Sequence, residues 1–204
     1  IGGSSGAFPA PEGYFERVRE ICDKHDVLLI VDEVATGFGK TGEMFACDHE
    51  DVTPDIMPLG KGITGGYAPV AATMATDEIY DEFLGEPEDH TALYHGHSYT
   101  GNALGCAAGI ASLELLEKRM DELPEKIDFI RRHLADIEEM GMVREVRQAG
   151  FMCGIELWQN PEENKPFPEE VEAGWTVCHK AREKGMLIRP LGDVVIFMPP
   201  LGST

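Results

Sequence analysis

The sequence is short of positive charge, of paired cysteines and of long apolar runs, and each shortage excludes something. Among 204 residues, Lys and Arg number 17 against 37 Asp and Glu, a formal net charge of −20 with an isoelectric point near 4.6. A surface that negative repels phosphate backbones and anionic lipid headgroups, so neither nucleic acid nor a membrane surface is an expected partner. No stretch approaches the roughly 18 uninterrupted apolar residues of a membrane span. Nor does a cationic segment run into an apolar one, as in a secretory signal. The five cysteines (Cys22, Cys47, Cys106, Cys153, Cys178) form no C-x-x-C pair, which excludes a zinc ribbon and a thioredoxin-type motif. Reduced, buried thiols in a cytoplasmic protein are the expectation. No initiator methionine opens the chain, which begins Ile1-Gly2-Gly3 and ends Gly202-Ser203-Thr204, so it reads as a piece of something longer. Internal repeats and low-complexity tracts are also missing.

What is there is ordinary for a folded domain: 43% hydrophobic and 26% charged residues. The acidic residues are spread along the chain, at Glu138-Glu139, Glu162-Glu163 and Glu169-Glu170 among others. Solvated faces account for them, as would adaptation to high salt. Residues 11–26 alternate charge with Tyr14, Phe15, Val18 and Ile21, predicting an amphipathic helix with Pro11 at its mouth. Val27-Leu28-Leu29-Ile30-Val31 predicts a buried strand. Residues 68–74 form a second apolar run, 102–117 and 125–140 predict helices, and 150–157 a strand. Residues 169–184 predict a helix, followed by short strands over 186–188 and 194–198. Helices alternating with apolar strands predict an α/β layered architecture. The polar stretch 119–124 is the expected boundary between two lobes.

The chemistry-bearing residues lie where the first strand ends. Asp32 and Glu33 follow Val31 directly, and the carboxyl end of a strand in an open parallel sheet is where ligands bind. Downstream, Lys61 sits in Gly60-Lys61-Gly62-Ile63-Thr64-Gly65-Gly66. A lysine among small and apolar residues, held away from water, has a lowered pKa and becomes a nucleophile able to form a Schiff base. Lysine and carboxylate together suit pyridoxal phosphate: the amine condenses with its aldehyde, and the acid keeps its pyridine nitrogen protonated. From spacing alone, the simpler reading is that Lys61 is a loop lysine and Asp32 a helix cap.

A wider context selects between these readings. Leu28 to Gly42, which contains Asp32-Glu33-Val34-Ala35-Thr36-Gly37-Phe38-Gly39-Lys40-Thr41-Gly42, resembles the motif of the class III aminotransferases, of pyridoxal-phosphate fold type I. Asp55 to Gly66 resembles the second half of that motif. Tyr94-His95-Gly96-His97-Ser98-Tyr99-Thr100-Gly101-Asn102, Arg147 to Gly154 and Arg189-Pro190-Leu191-Gly192-Asp193 are similar to the branch that aminates 8-amino-7-oxononanoate in biotin biosynthesis. The resemblance runs through the whole chain but covers about half of a family member of two domains. It implies the C-terminal half of a large mixed-sheet domain over 1–119 and an incomplete small α+β domain over 120–204.

By resemblance, Lys61 is the Schiff-base lysine and proton shuttle, Asp32 pairs with the pyridinium nitrogen, and Val34 packs on the ring. His97 and Ser98 match a segment that reaches the cofactor phosphate of the neighbouring subunit, implying a homodimer with its cofactor site at the interface. Gly96 matches a position lining the substrate pocket. Arg189 matches the residue that grips the substrate carboxylate, a contact an arginine fork suits. Family members carry threonine at Ser98 and arginine at Lys40. The serine keeps the hydroxyl, whereas the lysine puts any ion pair at position 40 in question. The partners implied are a small-molecule amino donor, S-adenosylmethionine or lysine, and a keto acceptor, with the histidine-rich 94–102 segment leaning towards lysine. A 204-residue piece alone is expected to be neither a stable dimer nor active.

Rival readings are few. Gly39-Lys40-Thr41 resembles the end of a P-loop, but Val34 occupies the place of the required first glycine. His90, His95, His97 and Cys106 fit no zinc spacing, so no metal is expected. Another class III enzyme, an ω-amino acid–pyruvate aminotransferase, is the close functional alternative. A non-catalytic binding or assembly domain of the same fold is the alternative of a different class.

Overall fold

The computed structural model describes Gly2 and residues 6–203; Ile1, Gly3 and Thr204, quoted above for the chain ends, lie outside them. The contacts sort into two compact units. One comprises Glu12–Phe38 and Glu43–Arg119. The other takes in the N-terminal residues up to Pro11, Gly39–Gly42, and the chain from Met120 onward.

In the first unit, α1 (Tyr14–His25) starts after Gly13 and stops at Asp26, both left-handed in backbone. Its opening N–H groups at Phe15 and Glu16 donate to the Glu50 carboxylate at 2.7 and 3.0 Å, supplying partners that a helix N-terminus lacks within itself. Phe15, Val18 and Cys22 on one face pack against Leu29, Val31, Cys47 and Val52. The predicted strand 27–31 is extended but not buried on both faces. Leu29 and Val31 are buried, whereas Val27, Leu28 and Ile30 are exposed, because only one side meets α1 and the 46–50 turn. It is bridged to one neighbour, in parallel, through Ile30 and Ile56.

That neighbour is β1 (Ile56–Leu59), antiparallel to β2 (Ala72–Ala75). Asp55 pins the junction: it accepts from the Leu29 N–H at 2.6 Å and from Arg19 at 2.8 Å. A short α2 (Asp77–Asp81) leads to an exposed segment and then to α3 (Ala103–Glu117). Asn102 caps α3, accepting the Gly105 N–H at 2.7 Å.

In the second unit, α4 (Leu123–Glu138) begins two residues before its predicted start, with Pro124 in its first turn. It is followed by β3 (Val143–Ala149), β4 (Met152–Leu157), α5 (Ala173–Glu183), β5 (Arg189–Leu191) and β6 (Val194–Phe197). The four strands form an antiparallel sheet in the order β3-β4-β6-β5. The core gathers Leu134, Val143, Cys153, Ile155, Leu157, Cys178 and Val195. An apolar cavity of about 500 Å³ opens among Phe129, Leu134, Met142, Val177 and Phe197; none of the candidate site residues lines it. The strand expected over 186–188 lies instead at 189–191. There Pro190, which has no N–H to give, occupies an edge strand.

Arg147 locks β3 to β4. Its guanidinium donates to Glu145 and Glu156, each at 2.5 Å, and to the Gly6 carbonyl at 3.1 Å, and it stacks over Phe8. Of the five cysteines, Cys47, Cys153 and Cys178 are buried and free, and burial pushes the thiols of Cys47 and Cys153 up to about 12. Cys106 is exposed, against the expectation of uniformly buried thiols; it lies on α3, where most side chains face solvent.

Candidate active site

Two backbone hydrogen bonds join the segment that carries the candidate acid to the strand that leads to the candidate amine. Val31 and Glu33 donate N–H groups to the carbonyls of Ile56 and Pro58, each at 3.1 Å. The segment carrying Asp32 and the strand leading to Lys61 therefore run side by side in the same direction. Asp32 lies at the carboxyl end of one, and Lys61 two residues beyond the end of the other. The side chain of Val34 reaches over to Gly60, where an added Cβ would lie 3.3 Å from Val34 Cγ1. Next to Lys61 on the other side, a Cβ at Gly62 would meet the Phe38 ring and Cβ at 3.0–3.5 Å. The glycines thus admit the 34–38 arm against the lysine loop.

Lys61 has φ of 43°, the left-handed region that a side chain with a Cβ enters only at a cost of about 1–2 kcal/mol. It opens a 3₁₀ turn, Lys61–Thr64, held by the Thr64 hydroxyl donating to the Ala68 carbonyl at 2.6 Å. The side chain is exposed rather than held away from water. The reason is local: the glycines on either side carry nothing that could cover it. Asp32 is exposed too, its Oδ1 fixed by the Val34 N–H at 2.9 Å.

Gly96, His97 and Ser98 are all exposed. His97 Nδ1 accepts the Tyr99 N–H at 3.1 Å, and among the described residues no hydrogen bond joins 96–98 to Asp32 or Lys61. Arg189 belongs to the second unit, where it is exposed and paired in register with Ile196. Lys40, at the family's arginine position, donates to the Pro199 carbonyl at 3.2 Å, and burial pushes its ammonium down. A carbonyl needs a single donor rather than a fork, so lysine suffices there. Among the described residues no cluster of metal-ligating side chains occurs. Glu33, read from sequence only as a hydrogen-bond partner beside Asp32 with no catalytic role, is completely buried, hydrogen-bonded to Thr36 and to the Cys47 N–H. Its place beside Asp32 is the sequence signal for it; the Thr36 hydroxyl three residues on is a second that the reading did not use.

An acid and an amine at neighbouring strand ends, with the branched apolar side chain of Val34 against Gly60 beside the amine, are groups of the kind that hold a flat heterocycle by a ring nitrogen and an aldehyde. The residue types fit pyridoxal phosphate: a carboxylate for a ring nitrogen, an apolar side chain for a ring face and an amine for an aldehyde. The family model for aminotransferase class III matches residues 1–204, and the chain belongs to that family, with its α/β, fold type I architecture. It is 48% identical over 206 residues to the adenosylmethionine-8-amino-7-oxononanoate aminotransferase of Anoxybacillus flavithermus, covering 100% of this chain and 45% of that one. The crystal structure of the enzyme of the same name from Methanocaldococcus jannaschii superposes with a TM-score of 0.96 at 49% identity, covering 100% of this chain and 48% of that one. An omega-aminotransferase of Caulobacter vibrioides is 38% identical, over 98% of this chain and 45% of its own. The chain spans a little under half the length of the curated relatives it matches.

Proposed function

We propose that the chain is the cofactor-bearing part of an aminotransferase about twice its length, which uses pyridoxal phosphate to aminate 8-amino-7-oxononanoate to 7,8-diaminononanoate. The observation that carries this reading is the pairing of Val31 and Glu33 with Ile56 and Pro58, which brings the ends bearing Asp32 and Lys61 side by side. Its substrate rests on likeness: identity is 48% to the enzyme named for this acceptor and 38% to the omega-aminotransferase. The proposed amino donor is S-adenosylmethionine, after the names of the Anoxybacillus flavithermus and Methanocaldococcus jannaschii enzymes. Among the described residues no helix is long and apolar enough to cross a membrane, and the cytoplasm is the proposed location.

When bound, pyridoxal phosphate supplies an aldehyde for the incoming amino group and a ring that takes up electrons as a C–H bond breaks. Asp32 holds the proton on the ring nitrogen, oriented by the Val34 N–H. Val34 bears on the ring face and keeps water from it. Lys61 Nζ, at the end of a four-carbon chain, would take a proton from the substrate carbon and return it to the cofactor's aldehyde carbon, on the far side of the nitrogen that joins the two. Arg189 binds the carboxylate of the substrate through its fork. Gly96 leaves room in the substrate pocket. His97 and Ser98 donate to the cofactor phosphate of a second subunit, so the working form is a homodimer. The proposed division puts residues 1–119 in the large domain and 120–204 in the small one, with the stretches up to Pro11 and Gly39–Gly42 packing with the chain from Met120 onward.

The test is an assay of the full-length protein with 8-amino-7-oxononanoate and either S-adenosylmethionine or lysine. Diamine formed with S-adenosylmethionine is the expected result. Amination of pyruvate alone would replace the reading with an ω-aminotransferase, and absence of any transamination would favour a binding domain of the same fold.

A further inference from the structure

We propose that Glu33 is a positioning residue, whose buried carboxylate holds Asp32 and Val34 in place beside Lys61; this rests on the cofactor site proposed above. Along the extended segment, side chains alternate. Asp32 is exposed and Val34 partly so, while Glu33 between them is 0% exposed and points the other way. Every polar group of Glu33 is engaged. Its N–H donates to Pro58 on β1, three residues before Lys61. Its carbonyl accepts the Gly37 N–H at 2.9 Å, closing a turn so tight that a Cβ at Gly37 would lie 2.8 Å from that same oxygen. One carboxylate oxygen accepts the Thr36 hydroxyl, and the other accepts the Cys47 N–H at 2.9 Å.

A single residue therefore ties together the strand leading to the lysine, the turn 33–37 and the chain at Cys47. The loop between them is closed by Phe38 donating to the Met44 carbonyl at 2.6 Å. Thr36 and Cys47 are themselves buried, so neither donor can turn to water if the carboxylate is removed. The strand end would then shift to satisfy them, carrying Asp32 and Val34 with it.

Side-chain length and hydrogen-bonding pattern make the idea testable. Glutamine keeps both bonds, its carbonyl accepting from Cys47 and its amide donating to the Thr36 hydroxyl. Aspartate, one methylene shorter, cannot reach both donors, and alanine reaches neither. In the full-length protein, well below the unfolding temperature of each variant, pyridoxal phosphate affinity and the circular dichroism of its long-wavelength band are measured. The band's dichroism reports how rigidly the ring is oriented, which a loss of global stability alone would not change.

Glu33→Ala and Glu33→Asp are expected to weaken cofactor binding about tenfold or more and to reduce the band's dichroism. Thr36→Val, which removes one donor, is expected to weaken binding about threefold to tenfold, and Glu33→Gln to stay within about twofold of the unaltered protein. Should Glu33→Ala fail to fold, Glu33→Asp and Thr36→Val decide the matter. Folded variants with unaltered affinity and dichroism would overturn the assignment, as would a Glu33→Gln as weak as Glu33→Asp. Failure of the unaltered protein to develop the band would instead overturn the cofactor site itself, and the assignment with it.

Discussion

Helices α3 and α4 are consecutive, 15 and 16 residues long, and opposite in how they meet water. On α4 the charged residues face out, while Leu123, Ile127 and Leu134 are buried. On α3 apolar residues occur all round, yet only Gly105 and Gly109 are buried, and Leu104 is 85% exposed. A helix apolar on every side belongs in an interior. The contrast extends to the two units. The one with the four-stranded sheet closes a larger core, though it leaves Phe129 and Leu187 open; the one bearing Asp32 and Lys61 closes a smaller core beneath α1 and leaves Val27, Leu28, Ile30, Leu104 and Ile110 open. Exposed apolar surface of this kind belongs to contact faces, and the relatives have about twice this chain's length. The difference is sharpest at the two helices: α4 turns its apolar side into a core, and α3 turns apolar residues to solvent.

That contrast can be broken or sharpened by substitution. The largest effect is expected at Arg147, whose side chain is 3% exposed. Arg147→Ala leaves Glu156 without its buried partner and should cost about 3–5 kcal/mol in denaturant unfolding. Leu134→Ala, in the core of the same unit, should cost about 2–5 kcal/mol. A loss under about 1 kcal/mol at either position would contradict a self-sufficient core.

Asp55→Asn, in the first unit, should cost about 1.5–3 kcal/mol, the range for hydrogen bonds to a charged group. Its cost should depend on pH. The Leu29 N–H and then Arg19 hold the Asp55 carboxyl below its ordinary value of 3.8. The folded state therefore binds this proton less readily than the unfolded chain. The carboxylate's stabilisation is complete above 3.8 and disappears as pH falls through the lower folded value. Unfolding curves of the variant and the unaltered protein should converge in acid. The smallest effect is expected at Leu104: Leu104→Ala should shift the stability of this chain by no more than about 0.5 kcal/mol. A larger loss would mean that the face of α3 is already covered.

Much of this was legible in the sequence because the strongest patterns coincide with the strongest constraints. The amphipathic α1 and α4, the capped α3, and the runs that became β4 and β6 all carry clear periodicity or a capping residue. So do Asp32 and Lys61, which a long two-part motif marks out. β3 is hard to read because Val143-Arg144-Glu145-Val146-Arg147-Gln148-Ala149 spaces its apolar residues irregularly, and Arg147, one of its two arginines, is buried by partners distant in sequence, Glu156 and Gly6 among them. β1 was obscured by Pro58, tolerated because its carbonyl, not its missing N–H, serves the Glu33 pairing. Burial was the least readable quantity. Glycines around Lys61 suggested a dry site, yet residues without side chains cannot shelter a neighbour. The role proposed for Glu33 depends on Thr36 and Cys47 converging on it, and the second of these lies 14 residues away in sequence.

The central claim is that Lys61 is the amine that condenses with pyridoxal phosphate. The full-length protein, saturated with cofactor, can be reduced with borohydride, digested and mapped by mass spectrometry. The account predicts a pyridoxyl group on the peptide carrying Lys61, and none in Lys61→Ala. A label on another lysine, Lys40 included, or one that survives the substitution, would contradict it.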